Sequence, residues 1–134
     1  MTLYKMAIRR KPQHLEAVEQ RLFVKRWRLD ARTRDIPACA VPNGGRRSAR
    51  EAALMKAEGV EAGVPDWLCF WPSFDGKSVG LAIEFKSPTG KGRVSDNQKR
   101  WHKLLRNAGW RVEIVTTAID AWRVATSHLD ITDG

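Results

Sequence analysis

Residues 79–86 read Val-Gly-Leu-Ala-Ile-Glu-Phe-Lys, and this stretch decides the fold. Its first seven residues form a nearly continuous apolar run of strand length, the pattern of a strand covered on both faces. Ahead of it, residues 67–71 (Trp-Leu-Cys-Phe-Trp) form a second apolar run, stopped by Pro72. Asp75-Gly76 between the two is a turn signal. Together they predict an antiparallel hairpin centred near Asp75, in which paired residue numbers total about 150. Asp66 and Glu84 satisfy that condition, so their side chains are expected to meet across the ladder. Glu84 and Lys86 are two apart on one strand and point to the same face. Two carboxylates and an ammonium thus gather at one end of a sheet.

Two adjacent carboxylates repel, and one retains a proton unless a cation intervenes. A hard divalent ion such as Mg²⁺ or Mn²⁺ resolves the conflict with oxygen ligands: Asp66, Glu84, a backbone carbonyl (Phe85 is the candidate) and waters. Such an ion lowers the pKa of bound water and stabilises charge on a phosphoryl group. Lys86 then orients or deprotonates the attacking water, or neutralises charge building on the phosphate. The competing reading is a plain Glu84–Lys86 salt bridge, because a Pro-Asp followed by Glu-x-Lys is common by chance.

The flanking sequence supplies helices. Leu15, Val18, Leu22 and Leu29 give a helix over 13–29 an apolar stripe, with Glu16, Gln20, Phe23 and Trp27 on a neighbouring one. A short strand is expected at 39–41, before Pro42-Asn43-Gly44-Gly45. Ser48 and Glu51 form a capping box that opens a short helix, ended by Gly59. Beyond the hairpin, Pro88, Gly90 and Gly92 break the chain. Ser95 and Gln98 form a second capping box, opening a helix with an apolar face of Trp101, Leu104, Leu105 and Ala108, and Gly109 ends it. Residues 110–116 alternate polar and apolar and read as a third strong strand. Thr117 caps a last helix carrying Ile119, Trp122, Val124, Ala125 and Leu129. The order predicts an α/β domain, a mixed sheet covered by helices.

The whole chain, 134 residues, is one domain, with its core at about 14–129. No apolar run approaches the ~20 residues of a membrane span, and the N-terminus lacks the apolar segment of a secretory signal. Cys39 and Cys69 make neither a disulfide framework nor a zinc set, and both are expected as buried thiols in a cytoplasmic protein. His14, His102 and His128 are scattered without ligand spacing, which argues against a zinc hydrolase or a histidine-driven mechanism. Trp101, Trp110 and Trp122 sit at core-periodic positions, whereas Trp27 and Trp71 are expected at a surface or dimer interface.

The charge is patterned. Lys and Arg number 24 against 15 Asp and Glu, a net charge of +9. Residues 1–50 carry 13 basic and 4 acidic groups, residues 51–85 carry 2 and 6, residues 86–111 carry 8 and 1, and residues 112–134 carry 1 and 4. Basic blocks on either side of an acidic stretch suit a polyanion held near carboxylates, although solvated basic helices read the same way. The candidate phosphate contacts are Arg46, Arg47 and Arg50, then Lys91, Arg93, Lys99, Arg100, Lys103 and Arg106. No base-reading motif accompanies them, so contacts to a polyanion are expected to follow its backbone rather than a base sequence.

Gly63-Val64-Pro65-Asp66, Ile83-Glu84-Phe85-Lys86, and Ser95-x-x-Gln98 with Trp101 and Leu105 resemble the VRR-NUC domain, a branch of the PD-(D/E)xK nuclease superfamily. Pro42-Asn43-Gly44-Gly45 and the Glu16-x-x-x-Gln20 helix fit the same pattern, although the chain has no Val-Arg-Arg string. The resemblance implies a restriction-endonuclease-like core, with Asp66, Glu84 and Lys86 as catalytic and metal-binding residues. Gln98 matches the family's glutamine, with capping as its competing role. Glu16 matches the acidic position that completes the metal shell, and Glu19 is near enough to compete. The short stand-alone members, similar to the nuclease domain of the Fanconi-associated nuclease, imply a homodimer that cuts branched DNA such as four-way (Holliday) junctions. The resemblance implies no small-molecule cofactor. Two alternatives stand beside it: a non-catalytic DNA-binding module on the same scaffold, and a sequence-specific restriction-type endonuclease.

Overall fold

The run at 79–86 becomes the centre of a four-stranded sheet. The computed structural model describes residues 15–42, 48–89 and 92–132. In chain order the elements are α1 (Leu15–Leu29), β1 (Ala38–Ala40), α2 (Ala49–Ala57), β2 (Trp67–Cys69), β3 (Leu81–Phe85), α3 (Asp96–Asn107), β4 (Arg111–Val115) and α4 (Ala118–Leu129). The strands lie in the order β1-β2-β3-β4. β1 with β2 and β2 with β3 run antiparallel, and β3 with β4 runs parallel, so the sheet is mixed as expected. All five residues of β3 are buried, as its apolar run predicts. Among the described residues no helix is long and apolar enough to cross a membrane.

Strand periodicity sorts the two faces. Trp67, Cys69, Leu81, Ile83, Phe85 and Val115 project to one side and pack against Phe23, Trp27, Ala121, Trp122 and Ala125 of α1 and α4. The aromatic rings interlock there, with Phe23 edge-on to Trp67 at 4.9 Å and Trp27 edge-on to Trp67 at 4.7 Å. Ala82, Glu84 and Val112 alternate to the opposite side, which α3 covers.

Several expectations are corrected. On α1 the buried stripe is Phe23 and Trp27, while Leu15, Leu22 and Leu29 are exposed. An aromatic side chain buries more apolar area than a leucine, so the aromatic stripe takes the core. Trp27 is accordingly a core residue, 4% exposed, and not a surface one. On α3 the fully buried residue is His102, with Leu104 exposed and Trp101 and Leu105 half-buried. Ile119 on α4 is exposed as well. Cys69 is buried, but Cys39 is exposed because β1 is the edge strand.

The caps form largely as read. Ser48 accepts from the Glu51 N–H at 3.1 Å. Ser95 and Gln98 complete a reciprocal capping box, and Thr117 accepts from the Asp120 N–H at 3.1 Å. Gly59 and Gly109 take positive φ at the helix ends. α2 buries no residue.

Candidate active site

The β2–β3 register runs Trp67↔Ile83, Leu68↔Ala82 and Cys69↔Leu81, so every pair totals 150. One further step along the same register sets Asp66 opposite Glu84. The Asp66 carboxylate folds over β3, where its Oδ2 accepts the Phe85 backbone N–H at 2.7 Å. The N–H and C=O of one strand residue point to the same edge of the strand. The Phe85 carbonyl is therefore directed toward the Asp66 side too.

Three segments converge with these residues on a cleft of about 650 Å³ at the C-terminal end of β3. The N-terminal half of α1 contributes Glu16 and Gln20, the end of β3 contributes Glu84, Phe85 and Lys86, and the first turn of α3 contributes Gln98. Asp66 lines the same cleft. Gln20 Nε2 reaches the Asp66 carbonyl at 3.5 Å.

Glu84 is the electrostatic centre. Its side chain is 1% exposed, and Oε1 has no hydrogen-bond partner. Burial, then the hydrogen bond and charge of Asp66, push its carboxyl up to about 9, against the opposing pull of Lys86. Behind it lies His102, whose Nε2 is 3.6 Å from Glu84 Oε1 and is also without a hydrogen-bond partner. Burial holds the His102 imidazole below its usual pKa, with the charges of Arg106 and Lys86 adding to the effect.

Lys86 does not form the simple salt bridge to Glu84. Its Nζ donates to Gln98 Oε1 at 2.8 Å and to the Arg93 carbonyl at 3.0 Å. An ammonium has three N–H donors, so one remains. Gln98 Oε1 also accepts the Ser95 N–H at 2.9 Å. The two competing roles of Gln98 are thus both filled by one oxygen, which caps α3 and holds Lys86.

The acidic alternatives on α1 separate cleanly. Glu19 Oε2 accepts the Ala118 N–H at 2.9 Å, capping α4 away from the cleft. Glu16 lies on the cleft wall. Among the described residues, no three carboxylate, histidine or cysteine side chains are gathered tightly enough to ligate one ion as they stand. What the site offers a cation is a carboxylate pair with a buried, unpartnered oxygen, the Phe85 carbonyl, and room for water. That all-oxygen set suits a hard divalent ion.

The expected DNA contacts are distributed differently. Arg50 is exposed on α2, Arg93 is exposed just before α3, and Lys99, Arg100 and Lys103 are exposed on α3. Arg106 is engaged structurally, donating to the Val112 carbonyl at 3.0 Å. Arg46, Arg47 and Lys91 lie outside the described residues, as do Asn43, Gly44 and Gly45. His102 was missed because the histidines were read for ligand spacing. Its i, i+4 relation to Gln98, which puts both on one helix face, is the signal that finds it. The Glu16–Gln20 spacing finds Gln20 in the same way.

A mixed sheet with helices on both faces, and an Asp…Glu-x-Lys set at the end of its central strand, define a nuclease-type α/β domain. Residues 2–118 match the VRR-NUC domain model, and the chain belongs to that family of nuclease domains. A solved structure described as a VRR_NUC domain protein is 22% identical, with a TM-score of 0.73 over 92% of this chain and 93% of its own. That likeness speaks for the fold. No curated protein matches the chain.

Proposed function

We propose that the chain is a divalent-metal-dependent, structure-selective DNA endonuclease that hydrolyses phosphodiester bonds in branched DNA such as four-way junctions. The observation that carries this reading is the meeting of Asp66, Glu84 and Lys86 in one cleft beside Gln98. Asp66, Glu84 and the Phe85 carbonyl would hold Mg²⁺ or Mn²⁺, with Glu16 on the cleft wall completing the shell through water. When bound, the ion supplies an acidified water and charge stabilisation on the phosphoryl oxygens. Glu84 would hold it as the carboxylate, without the proton that burial otherwise favours. Asp66, pinned by the Phe85 N–H, keeps its second oxygen toward the cleft. Lys86 is held by Gln98 and the Arg93 carbonyl, and presents its remaining N–H to a phosphate oxygen or the entering water. Water adds to phosphorus as the opposite P–O bond breaks; the entering water loses one proton and the leaving oxygen gains one, giving a phosphate end and a hydroxyl end.

Exposed Arg50, Arg93, Lys99, Arg100 and Lys103 would bind the DNA backbone without reading bases. One cleft cuts one strand, so symmetric resolution of a junction calls for a second copy of the chain. The test is cleavage of labelled four-way junction, flap, single-stranded and duplex DNA, with and without Mg²⁺ or Mn²⁺, by the wild type and by Asp66→Asn and Glu84→Gln. Metal-dependent cuts at branch points, lost in both variants, are expected. Binding without cleavage under either metal would make it a non-catalytic module, and discrete cuts on plain duplex a restriction-type enzyme. A monomer by light scattering at micromolar concentration would overturn the dimer.

A further inference from the structure

A second groove, about 520 Å³, runs along α1 toward the active-site cleft. The two share Ala17, Gln20 and Ala40, so they adjoin. α1 walls it on one side, and Ala40 of the edge strand β1 lies on the other. Arg21, Lys25 and Arg28 line it, spaced i, i+4 and i+7, which puts all three on one helix face. All three are exposed. None has an ion-pair or hydrogen-bond partner among the described residues. The lining contains no carboxylate. Like charges at these spacings repel by a few tenths of a kcal/mol per pair in an isolated helix. No carboxylate in the groove lining offsets that repulsion.

The rest of the lining includes apolar Ala17, Val24, Leu29 and Ala40. Cations interleaved with apolar side chains match a nucleic-acid strand whose phosphates and sugar or base faces are both accessible. A duplex offers its phosphates but keeps its base faces stacked, and it is far too wide for a groove of this volume. Arg21 to Arg28 spans about 10.5 Å of helix axis, a length over which one strand presents more than one phosphate.

We propose that this groove is a single-strand subsite, in which Arg21, Lys25 and Arg28 hold the phosphates of an unpaired DNA arm that continues from the scissile phosphate in the adjoining cleft. The proposal rests on the nuclease reading and gives it a physical basis for preferring an armed over a plain duplex. A flapped substrate offers an unpaired arm directly, whereas a four-way junction, whose arms are all paired, and perfect duplex must first be frayed to do so.

The experiment is fluorescence anisotropy over a salt series, using a duplex with and without a single-stranded arm. The proteins are the wild type, Arg21→Ala/Lys25→Ala/Arg28→Ala, and a charge-matched control, Arg34→Ala/Lys56→Ala/Lys77→Ala, at exposed positions outside both grooves. The groove variant is expected to lose at least about tenfold in affinity for the armed duplex. Its salt slope on that probe should fall by about 2, from ~0.7 per phosphate on a single strand. On blunt duplex it should behave as the control does. Binding of the armed duplex equal to the control's, or an equal loss on both probes, overturns the subsite. Cleavage is measured alongside. If the wild type cuts no DNA yet the arm-specific loss appears, the nuclease reading fails and the subsite stands. If the wild type cuts and the groove variant cuts the armed substrate at unchanged KM, the subsite fails alone.

Discussion

Glu84 Oε1 stands 3.6 Å from His102 Nε2, and neither buried atom has a hydrogen-bond partner. The second carboxylate of the site is thus backed by an imidazole at a position where the sequence led us to expect a helix face of tryptophan and leucine. Groups behind a metal ligand orient it, and their loss commonly costs 10–100-fold in metal affinity. His102→Leu is expected to weaken Mn²⁺ binding about tenfold, measured by titration calorimetry. His102→Gln, which retains an N–H, is expected to recover most of that loss. Equal affinities for wild type and His102→Leu would remove His102 from the site.

The raised Glu84 pKa has a stability consequence of definite sign. Its folded value, about 9, lies above the ordinary carboxylate value of 4.5, so the folded state binds the proton more tightly than the unfolded chain. The stabilisation is complete below the ordinary value and is lost as pH rises toward 9. His102 and His128, whose pKa values are lowered mainly by burial, act oppositely and withdraw stability as pH falls below about 6.5. Between about pH 6.5 and 9 the Glu84 effect remains alone. The metal-free melting temperature is expected to fall across that window, and Glu84→Gln is expected to flatten the fall. Mg²⁺ should restore the alkaline side in the wild type but not in the variant.

Asp66 has a structural bond and a proposed metal role, and two substitutions separate them. Asp66→Asn keeps an oxygen for the Phe85 N–H now bonded at 2.7 Å. It should melt near the wild type while losing cleavage by on the order of 10³-fold, the several kcal/mol a catalytic cation supplies. Asp66→Ala should lose the same activity and also about 1–3 kcal/mol of stability, because the N–H is left unsatisfied. Normal cutting by Asp66→Asn would show that the metal reading of this residue is wrong.

What the sequence made legible was local or periodic. The hairpin register followed from one turn and two apolar runs, and it placed Asp66 opposite Glu84 before any coordinates were needed. The caps at Ser48, Ser95 and Thr117 were visible because each depends on residues three apart. The choice between two stripes on α1 was not, because both were apolar enough and the decision lay in the partner surface of Trp67 and Phe85. The same holds for α3, where a buried histidine displaced leucine from the core face because Glu84 lies beneath it. Cys39 misled for a related reason, since an apolar triplet does not announce whether its strand is central or at the edge.

Gln98 holds two elements with one oxygen. Gln98→Ala should cost about 1 kcal/mol through the lost cap and release Lys86, with cleavage falling about tenfold, less than the ~10²-fold or more lost when a positioned group is itself removed. Gln98→Glu keeps the capping acceptor and adds a charge, so it should melt at or above the wild-type temperature. It should still cut more slowly, because Lys86 is drawn into an ion pair. Thermal melts and single-turnover cleavage on one junction substrate separate the two effects, and full activity in both variants would leave Gln98 a cap alone.

Gly63 ties the two halves of the site together. It adopts φ +97, and a Cβ there would lie 2.5 Å from the backbone carbon of Asn97, next to Gln98. The loop that delivers Asp66 therefore packs directly against the helix turn that holds Lys86. Gly63→Ala must strain the backbone and push against backbone atoms that have no side-chain freedom to yield. A loss of about 1–3 kcal/mol is expected, read as a lowered midpoint in chemical denaturation. If the loop shifts instead of the helix, Asp66 moves relative to Lys86, so cleavage measured well below the melting temperature should fall further than the unfolded fraction explains. Gly76→Ala provides the comparison. That glycine also has positive φ, but nothing lies within 4 Å of the position a Cβ would take. It should lose some stability and keep its cleavage rate. Equal activity of the folded fractions of the two variants would show that the Gly63 contact supports the fold without setting the site.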